Sequence, residues 1–276
     1  MQTDMLQTRE HGVKGLRAPA PAALRARYAS LRDKRVFITG GGSGIGAAMV
    51  EAFALQGAQV AFVDTASAAS QALCERVQAQ GAAKPWWQAC DVRDVVALQH
   101  AIAQAALALG DMQVLVNNVA HDERHRLEDI TPAYYEERMA INQRPALFAI
   151  QAVVPGMRRL GGGAIVNLGS ISWQSKNDGF PCYTLAKSSV NGLTRGLART
   201  LGRERIRINT VTPGWVMTER QMALWLDAAG EVELEREQCL PDKLMPHDIA
   251  AMVLFLASDD AQMCTAQEFV VDAGWV

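Results

Sequence analysis

The sequence has 276 residues, of which 49% are hydrophobic and 20% are charged, and its formal net charge is -2. This length and composition suit one sizeable α/β domain with a full core, while the small net charge and scattered basic residues offer no surface for nucleic acid. No apolar run reaches the roughly 20 residues that cross a bilayer, so we expect a soluble protein that does not enter the membrane.

The first 31 residues differ in composition from the rest of the chain. They contain two prolines, many small residues and five Lys or Arg against two acids, with no apolar stretch of the kind a secretory signal needs. We expect residues 1–31 to form a poorly ordered N-terminal arm, with a transit peptide as the less favoured alternative. Residues 32–276 are predicted to form the folded domain.

A β-branched strand predicted at 35–39 runs into a glycine cluster, which opens a helix predicted at 44–56. Because such a cluster leaves bare backbone amides at a helix N-terminus, it predicts a site that holds a pyrophosphate. The next strand, at 59–63, ends at Asp64, about 20 residues past the glycines, where an acid that binds ribose hydroxyls is expected. An acid there repels a 2′-phosphate, so NAD is favoured over NADP.

Beyond this unit the chain alternates short apolar strands with helical patterns. This alternation predicts a single Rossmann-like α/β domain, a doubly wound parallel sheet of about seven strands flanked by helices, with its ligand at the carboxyl ends of the strands. A substrate lid is expected near 215–240. The remaining strands are predicted at 86–90, 113–117, 163–168, 206–211 and 268–271. The remaining helices are predicted at 67–80, 94–108, 132–158, 182–201, 219–228 and 246–257.

The five cysteines are widely spaced and form no CxxC pair. An odd, dispersed set favours reduced thiols, most of them buried, in a cytoplasmic protein. The positions are Cys74, Cys90, Cys182, Cys239 and Cys264.

Polar side chains follow four of the predicted strands. Asp91 follows the third strand, where it is placed to accept from an adenine amino group, and Asn117 and Asn118 follow the fourth. Ser170 follows the fifth strand, and the turn at 212–218 follows the sixth. Any one of these is a common loop residue, but the carboxyl ends of parallel strands meet at one edge of a sheet. Their joint occurrence therefore predicts a single ligand site.

Two histidines in the loop after the fourth strand lie four residues apart with an acid between them. The zinc-protease pattern needs Glu directly after the first histidine, whereas His121 is followed by Asp122, and no third ligand near His125 is evident. We therefore expect no metal site.

The catalytic chemistry is predicted on the helix after the fifth strand, where Tyr183 and Lys187 share one face. A free phenol, with a pKa of about 10, is a poor base at neutral pH. A cation about 5 Å away, at an effective dielectric near 20, favours phenolate by roughly 3 kcal/mol or about 2 pKa units, and an oxidised nicotinamide acts in the same direction. We expect Tyr183 to take a proton from a substrate hydroxyl while hydride leaves the same carbon, with Ser170 orienting the substrate oxygen.

Taken together, these motifs resemble the short-chain dehydrogenase/reductase family over roughly residues 31–276. The resemblance implies a catalytic triad of Ser170, Tyr183 and Lys187, with Asn142 helping to hold a proton-relay water. It also implies a homodimer or homotetramer that pairs through the helices predicted at 132–158 and 182–201. The residues assigned to the NAD cofactor are Gly40, Ser43, Gly44, Ile45, Gly46, Asp64, Asp91, Val92, Asn118, Tyr183, Lys187, Pro213, Gly214, Val216 and Thr218.

The loops expected to frame the substrate pocket are polar, as a hydroxyl-rich small molecule requires. A carboxylate accepts two sugar hydroxyls, and Trp173 offers a flat face for a pyranose ring. With the tail at 271–275, these loops make the chain similar to bacterial NAD-dependent aldose 1-dehydrogenases of the D-xylose and L-arabinose type. The residues assigned to substrate are Asp122, His125, Ser170, Ser172, Trp173, Asn177, Tyr183, Trp215 and Gln221.

Three functions remain open on the sequence. The favoured one is an NAD-dependent sugar dehydrogenase that oxidises the anomeric hydroxyl to an aldonolactone. The second is another dehydrogenase of the same family, acting on a secondary alcohol or a keto-deoxy sugar acid. The third is a non-catalytic dinucleotide sensor or scaffold, which the intact set of catalytic residues disfavours.

Overall fold

The computed structural model describes residues 26–176 and 178–276. Its strands are β1 (Arg35–Thr39), β2 (Gln59–Asp64), β3 (Trp86–Ala89), β4 (Val114–Asn117), β5 (Gly163–Leu168), β6 (Ile206–Pro213) and β7 (Glu268–Val271). Its helices are α1 (Gly44–Leu55), α2 (Ser67–Ala79), α3 (Val95–Leu109), α4 (Pro132–Asn142), α5 (Arg144–Arg159), α6 (Pro181–Gly202), α7 (Glu219–Leu224), α8 (Ala228–Glu237) and α9 (Pro246–Ala257).

The seven strands form one parallel sheet in the order β3-β2-β1-β4-β5-β6-β7. Successive side chains of a strand point to opposite faces, and both faces are covered. In β1, Val36 and Ile38 pack with α1, α2 and α9, whereas Phe37 packs with α3, α5 and α6. The predicted doubly wound α/β domain is therefore confirmed.

The strand order reverses between β1 and β4. From β1 the chain proceeds outward through β2 and β3, and from β4 it proceeds the other way through β5, β6 and β7. Loops that leave adjacent strands in opposite directions open a crevice at the carboxyl ends of those strands. This crevice is the position where the site residues converge.

The helix predicted at 132–158 is wrong as a single element, because it breaks at Gln143 into α4 and α5. Gln143 has φ of -126° and ψ of -58°, outside the regular helical range. Pro145, two residues later, has no amide hydrogen to bond the carbonyl of Ile141, so the ladder cannot run through this point. The sequence contains that proline, which is the signal for the break.

The helix predicted at 219–228 is also wrong, because α7 ends at Leu224 and a separate helix, α8, begins at Ala228. Asp227 caps α8, and its side chain accepts a hydrogen bond of 2.9 Å from the amide of Gly230. A capping acid inside a helical pattern marks a new helix start. The region expected to form a lid thus consists of two short helices.

The last residues of the predicted arm belong to the domain. Leu31 is fully buried in the core beneath α1 and α9, and the amide of Tyr28 donates to Gln56 Oε1 at 2.9 Å. The packed domain therefore begins before residue 32. Residues 1–25 of the predicted arm lie outside the described residues.

The cysteines are all free, and Cys74, Cys90 and Cys182 are buried. Within the described ranges, no three His, Cys, Asp or Glu side chains come together as metal ligands. His121 instead has its Nδ1 atom 2.7 Å from the guanidinium of Arg138. No helix in the described part of the chain has the length and apolar character needed to cross a bilayer.

Candidate active site

A cavity of about 880 Å³ lies at the carboxyl ends of the strands. Loops after β1, β2, β3, β4, β5 and β6 form its walls, together with α6, α7, α8 and the C-terminal tail. Because β3 and β6 lie on opposite sides of the switch point, Asp91 and Trp215 stand toward opposite ends of this cavity. The cavity therefore has room for an extended ligand with one group near Asp91 and another near Trp215.

The glycine turn at the start of α1 is shaped by close backbone approaches. Gly40 has φ of +70°, and a β-carbon on Gly46 would lie 1.8 Å from the carbonyl oxygen of Gly40. Ser43, the N-cap of α1, makes no capping hydrogen bond, and the first turn carries no acid. The first amides of α1 therefore remain available to an anionic group such as a pyrophosphate.

The carboxylate of Asp64 is held at the cavity wall by the backbone. Its Oδ2 accepts from the amide of Gly42 and its Oδ1 accepts from the amide of Ala66, both at 2.8 Å. Among the described residues, the Lys and Arg side chains that line the cavity come from the β4 to β6 side of the switch point. They are Arg124, Lys187 and Arg220.

Two other residues assigned to the cofactor already have protein partners. Asn118 Nδ2 donates to the carbonyls of Thr39 and Gly40 at 3.0 and 2.9 Å, which ties the loop after β4 to the glycine turn. Hydrogen bonds from Arg93 hold the pKa of Asp91 below its usual value. Both residues line the cavity and shape it through these contacts.

The other cofactor assignments fall into two groups. Ser43, Ile45, Val92, Pro213, Gly214, Val216 and Thr218 line the cavity with the residues above. Gly44 lies at the start of α1, where a β-carbon added to this glycine would come 3.2 Å from Thr218 Cγ2. The turn after β6, which carries Thr218, thus contacts the glycine turn after β1.

Helix α6 carries Tyr183 and Lys187 on the cavity wall. Lys187 is only 3% exposed, and its Nζ donates to the carbonyl of Leu168 at the end of β5 at 2.8 Å. The same Nζ lies 5.8 Å from the centre of the Tyr183 ring. Ser170 lines the same cavity, and its hydroxyl lowers the pKa of the Tyr183 phenol. The three side chains assigned to catalysis are therefore brought together.

Burial dominates the protonation of this pair. It raises the pKa of Tyr183 to about 12, with the charge of Asp122 acting in the same direction, against the Ser170 hydrogen bond and the charges of Arg124 and Arg220. Burial also lowers the pKa of Lys187 to about 8. Burial thus acts against the expected lowering of the Tyr183 pKa, and the contribution of Lys187 and a bound oxidised nicotinamide to that lowering stays a prediction.

Asn142 lies at the end of α4, and its side chain is fully engaged with the backbone. Its Oδ1 accepts from the amide of His121 at 2.7 Å, and its Nδ2 donates to the carbonyls of His121 and Arg138 at 3.2 and 3.1 Å. The side chain therefore fixes the loop after β4. Its role in holding a proton-relay water stays a prediction.

Several residues assigned to substrate form one hydrogen-bonded chain on the cavity wall. Gln221 Nε2 donates to Asp122 Oδ2 at 2.7 Å, and Trp215 Nε1 donates to Gln221 Oε1 at 3.0 Å. Arg220 pairs with the other oxygen of Asp122. Burial acts to raise the pKa of Asp122, but the bonds from Arg220 and Gln221 hold it below its usual value. Ser172 also lines the cavity, and its buried hydroxyl has no partner among the described residues.

Three other substrate assignments fall elsewhere. His125 Nε2 accepts from the amide of Cys182 at 3.1 Å, so this side chain caps α6, whose own N-cap, Phe180, offers no acceptor. Trp173 is 40% exposed and is not part of the cavity wall. Asn177 lies outside the described residues. His125 and Trp173 thus lie off the cavity wall in this structure, and their assignment to substrate stays a prediction.

Further cavity residues were not assigned from the sequence. The guanidinium carbon of Arg124 lies 4.0 Å from the ring centre of Phe180 and 5.0 Å from that of Trp225. Glu233 of α8 and Trp275 of the C-terminal tail also line the cavity. The Asp227 cap was the available signal for α8, whereas nothing local places Trp275 of the tail beside Trp215.

Comparison with known proteins gives one consistent result. A family model described as enoyl-(acyl carrier protein) reductase matches residues 40–276. The D-xylose 1-dehydrogenase of Caulobacter vibrioides is 47% identical over 250 residues, covering 91% of this chain and 98% of its own. A probable galactose dehydrogenase of Rhizobium meliloti is 45% identical, covering 90% and 97%. A solved blue fluorescent protein from a metagenomic library in complex with NADPH matches with a TM-score of 0.82 at 36% identity, covering 90% and 99%.

Proposed function

The chain belongs to the short-chain dehydrogenase/reductase family, and we propose that it oxidises the anomeric hydroxyl of an aldose with NAD, giving an aldonolactone. It is an oxidoreductase that uses a nicotinamide cofactor. The observation that carries the proposal is the convergence of Ser170, Tyr183 and Lys187 on a polar cavity. The two sugar dehydrogenases similar to this chain support the substrate class.

The proton step follows from the site. Tyr183, as phenolate, takes the proton of the anomeric hydroxyl while the carbon that bears it loses hydride. Ser170, which lines the cavity with Tyr183, donates to the same substrate oxygen. Bound oxidised nicotinamide supplies the hydride acceptor and a positive charge. Because burial raises the pKa of Tyr183, more phenolate forms as the pH rises, and oxidation is expected to rise with it.

The cofactor is proposed to be NAD. The amides that begin α1 would hold the pyrophosphate, and Asp64, oriented by two backbone amides, would accept from the ribose hydroxyls. An NADP phosphate beside Asp64 would meet a carboxylate, and the cavity cations lie on the other side of the switch point. Asp91 and Val92 would flank the adenine, and the turn at 213–218 would flank the nicotinamide.

A homodimer or homotetramer is proposed to form through α5 and α6. Leu147 of α5 and Leu185 of α6 are 45% and 51% exposed, and such apolar side chains on neighbouring helices support a protein interface. The free thiols support a reducing compartment, and we propose the cytoplasm.

A panel of aldoses, polyols and simple alcohols tests the function, with NAD reduction followed by absorbance. At least one pentose or hexose is expected to reduce NAD well, whereas cyclohexanol, which pairs with no polar group, is expected to be a very poor substrate. No sugar above background, or hydrophobic alcohols that exceed every sugar, would contradict the proposal.

A further inference from the structure

Arg124 differs from the other cavity cations in that none of its donors has a hydrogen-bond partner among the described residues. Arg220 pairs with Asp122, and Lys187 donates to the carbonyl of Leu168. Arg124 lines the same cavity but makes no hydrogen bond to another of the described residues. An arginine carries five N–H donors, so this side chain brings an unused set of donors to the substrate end of the cavity.

The aromatic contacts of Arg124 fix how those donors are presented. Its guanidinium packs over Phe180 at 4.0 Å and over Trp225 at 5.0 Å. A guanidinium that stacks its flat face on a ring keeps its N–H edge free for a ligand. The edge presents paired donors in one plane, which suits two oxygens on neighbouring atoms of a ligand.

The position of Arg124 relative to the base fits a substrate contact. The ring of Phe180, which Arg124 covers, lies 5.6 Å from the ring of Tyr183. A ligand whose reacting hydroxyl meets Tyr183 thus has its more distant atoms within reach of a side chain beside Phe180. Those atoms are the ring carbons beyond the anomeric centre.

The surrounding charge favours neutral oxygens over an anion. Arg124 already feels the attraction of Asp122 and Glu233. The cavity wall here also includes Asp178 and Asp227, so four carboxylates stand against the guanidinium groups of Arg124 and Arg220 and the ammonium of Lys187. A carboxylate or phosphate on the substrate would be repelled by the excess acids. A hydroxyl accepts from a guanidinium and donates to a carboxylate, so it satisfies both.

We propose that Arg124 binds two neighbouring ring hydroxyls of a neutral aldose and thereby selects neutral sugars over sugar acids. This inference rests on the proposed function and names a specificity-determining residue and the substrate class for the same site. The chemical step is unchanged, since Arg124 contacts the substrate away from the carbon that loses hydride.

Two variants separate binding from electrostatics. Arg124→Lys keeps a positive charge near Tyr183 but loses the planar pair of donors. We expect the KM for D-xylose and for D-galactose to rise about 10-fold, with the pH profile of kcat and the KM for NAD unchanged. Arg124→Met removes the charge as well, so its pH profile should also move to higher pH. Arg126→Lys, an exposed neighbour, is the matched control and should behave as the wild type.

Substrate pairs complete the test. The wild type is expected to prefer D-galactose to D-galacturonate, which has the same ring with a carboxylate, by at least about 10-fold in kcat/KM. The wild type should also have a lower kcat/KM for one or two monodeoxy analogues of D-xylose than for D-xylose itself. In Arg124→Lys this difference between D-xylose and its analogues should disappear. Unchanged sugar KM values in Arg124→Lys would overturn the inference about Arg124 but leave the proposed function standing. Equal kcat/KM of the wild type for D-galacturonate and D-galactose would have the same consequence. A wild type that oxidises no sugar would overturn the proposed function with it.

Discussion

Tyr183 and Lys187 share one desolvated environment that pushes their pKa values toward each other, to about 12 and about 8. Burial favours the neutral form of each group. The spacing of the two residues could be predicted from sequence. The direction of the shifts could not, because it depends on how deeply α6 packs against the end of β5.

Replacing the base gives the first test at this scale. Tyr183→Phe keeps the ring and removes the titrating oxygen, so turnover is expected to fall at least about 100-fold, with the KM for NAD little changed. Tyr135→Phe on α4, outside the cavity, serves as the control. Near-normal turnover in Tyr183→Phe would exclude the phenol as the base.

The buried ammonium gives a test by stability. The pKa of Lys187 lies below its usual 10.5, at about 8, so the buried charge destabilises the fold below pH 8 and this penalty disappears as the pH rises toward 10.5. Urea unfolding should give the free energy of unfolding of Lys187→Met minus that of the wild type at each pH. This difference is expected to be up to about 3 kcal/mol more favourable to the variant at pH 7 than at pH 10.5. Lys84→Met, at an exposed site, should show no such trend. A pH-independent difference would mean that Lys187 is not desolvated.

Asp64 gives a test of cofactor choice. Asp64→Ala removes both the ribose acceptor and the charge that repels a phosphate, so the ratio of kcat/KM for NAD over NADP is expected to shrink at least about 10-fold. Equal efficiency with the two cofactors in the wild type would contradict the assignment to NAD.

At the scale of elements, two side chains of α7 join this helix to the loop after β4. Arg220 and Gln221 both bind Asp122, and Gln221 also receives the indole N–H of Trp215. The sequence predicted a lid here and placed Asp122 and Gln221 in the pocket. It did not predict that they bind each other, because their separation of 99 residues leaves no local pattern.

Cutting that connection has two measurable consequences. Arg220→Met is expected to speed hydrogen exchange of the α7 amides, because one of the two contacts that hold Asp122 is lost. It should also move the oxidation pH profile upward, since the charge of Asp122 raises the pKa of Tyr183 and Arg220 opposes it. Glu219→Gln on the same helix is the control. Unchanged exchange and an unchanged profile would contradict a holding role for Arg220.

Element boundaries were predictable where glycine, proline or a capping acid marks them. The β1 strand and the start of α1 follow directly from the glycine turn. The α4 to α5 break and the start of α8 had equally clear signals in Pro145 and Asp227, but the apolar periodicity that runs across both sites masked them. A capping acid is the safer boundary signal in such a chain, since Pro155 lies inside α5 without ending it.

For the whole molecule, regular alternation of apolar strands and helices was sufficient to predict the parallel sheet, because the central strands are buried on both faces. The convergence of residues from different strand ends onto one cavity followed from the same architecture. The complete set of cavity residues could not be predicted from the architecture, since Trp275 and Glu233 reach the cavity through packing between segments far apart in the chain. Catalytic residues could thus be predicted from motifs, and substrate residues only in part.

Isotope transfer from the anomeric carbon tests the proposed reaction most directly. The enzyme would be given NAD and an aldose that it oxidises, labelled with deuterium at C1, and in a parallel reaction the same aldose labelled at C2. We expect deuterium from C1 to appear in the reduced nicotinamide, a primary kinetic isotope effect with the C1 label alone, and an aldonolactone as the product. Deuterium retained at C1, or transferred from C2, would contradict hydride removal from the anomeric carbon.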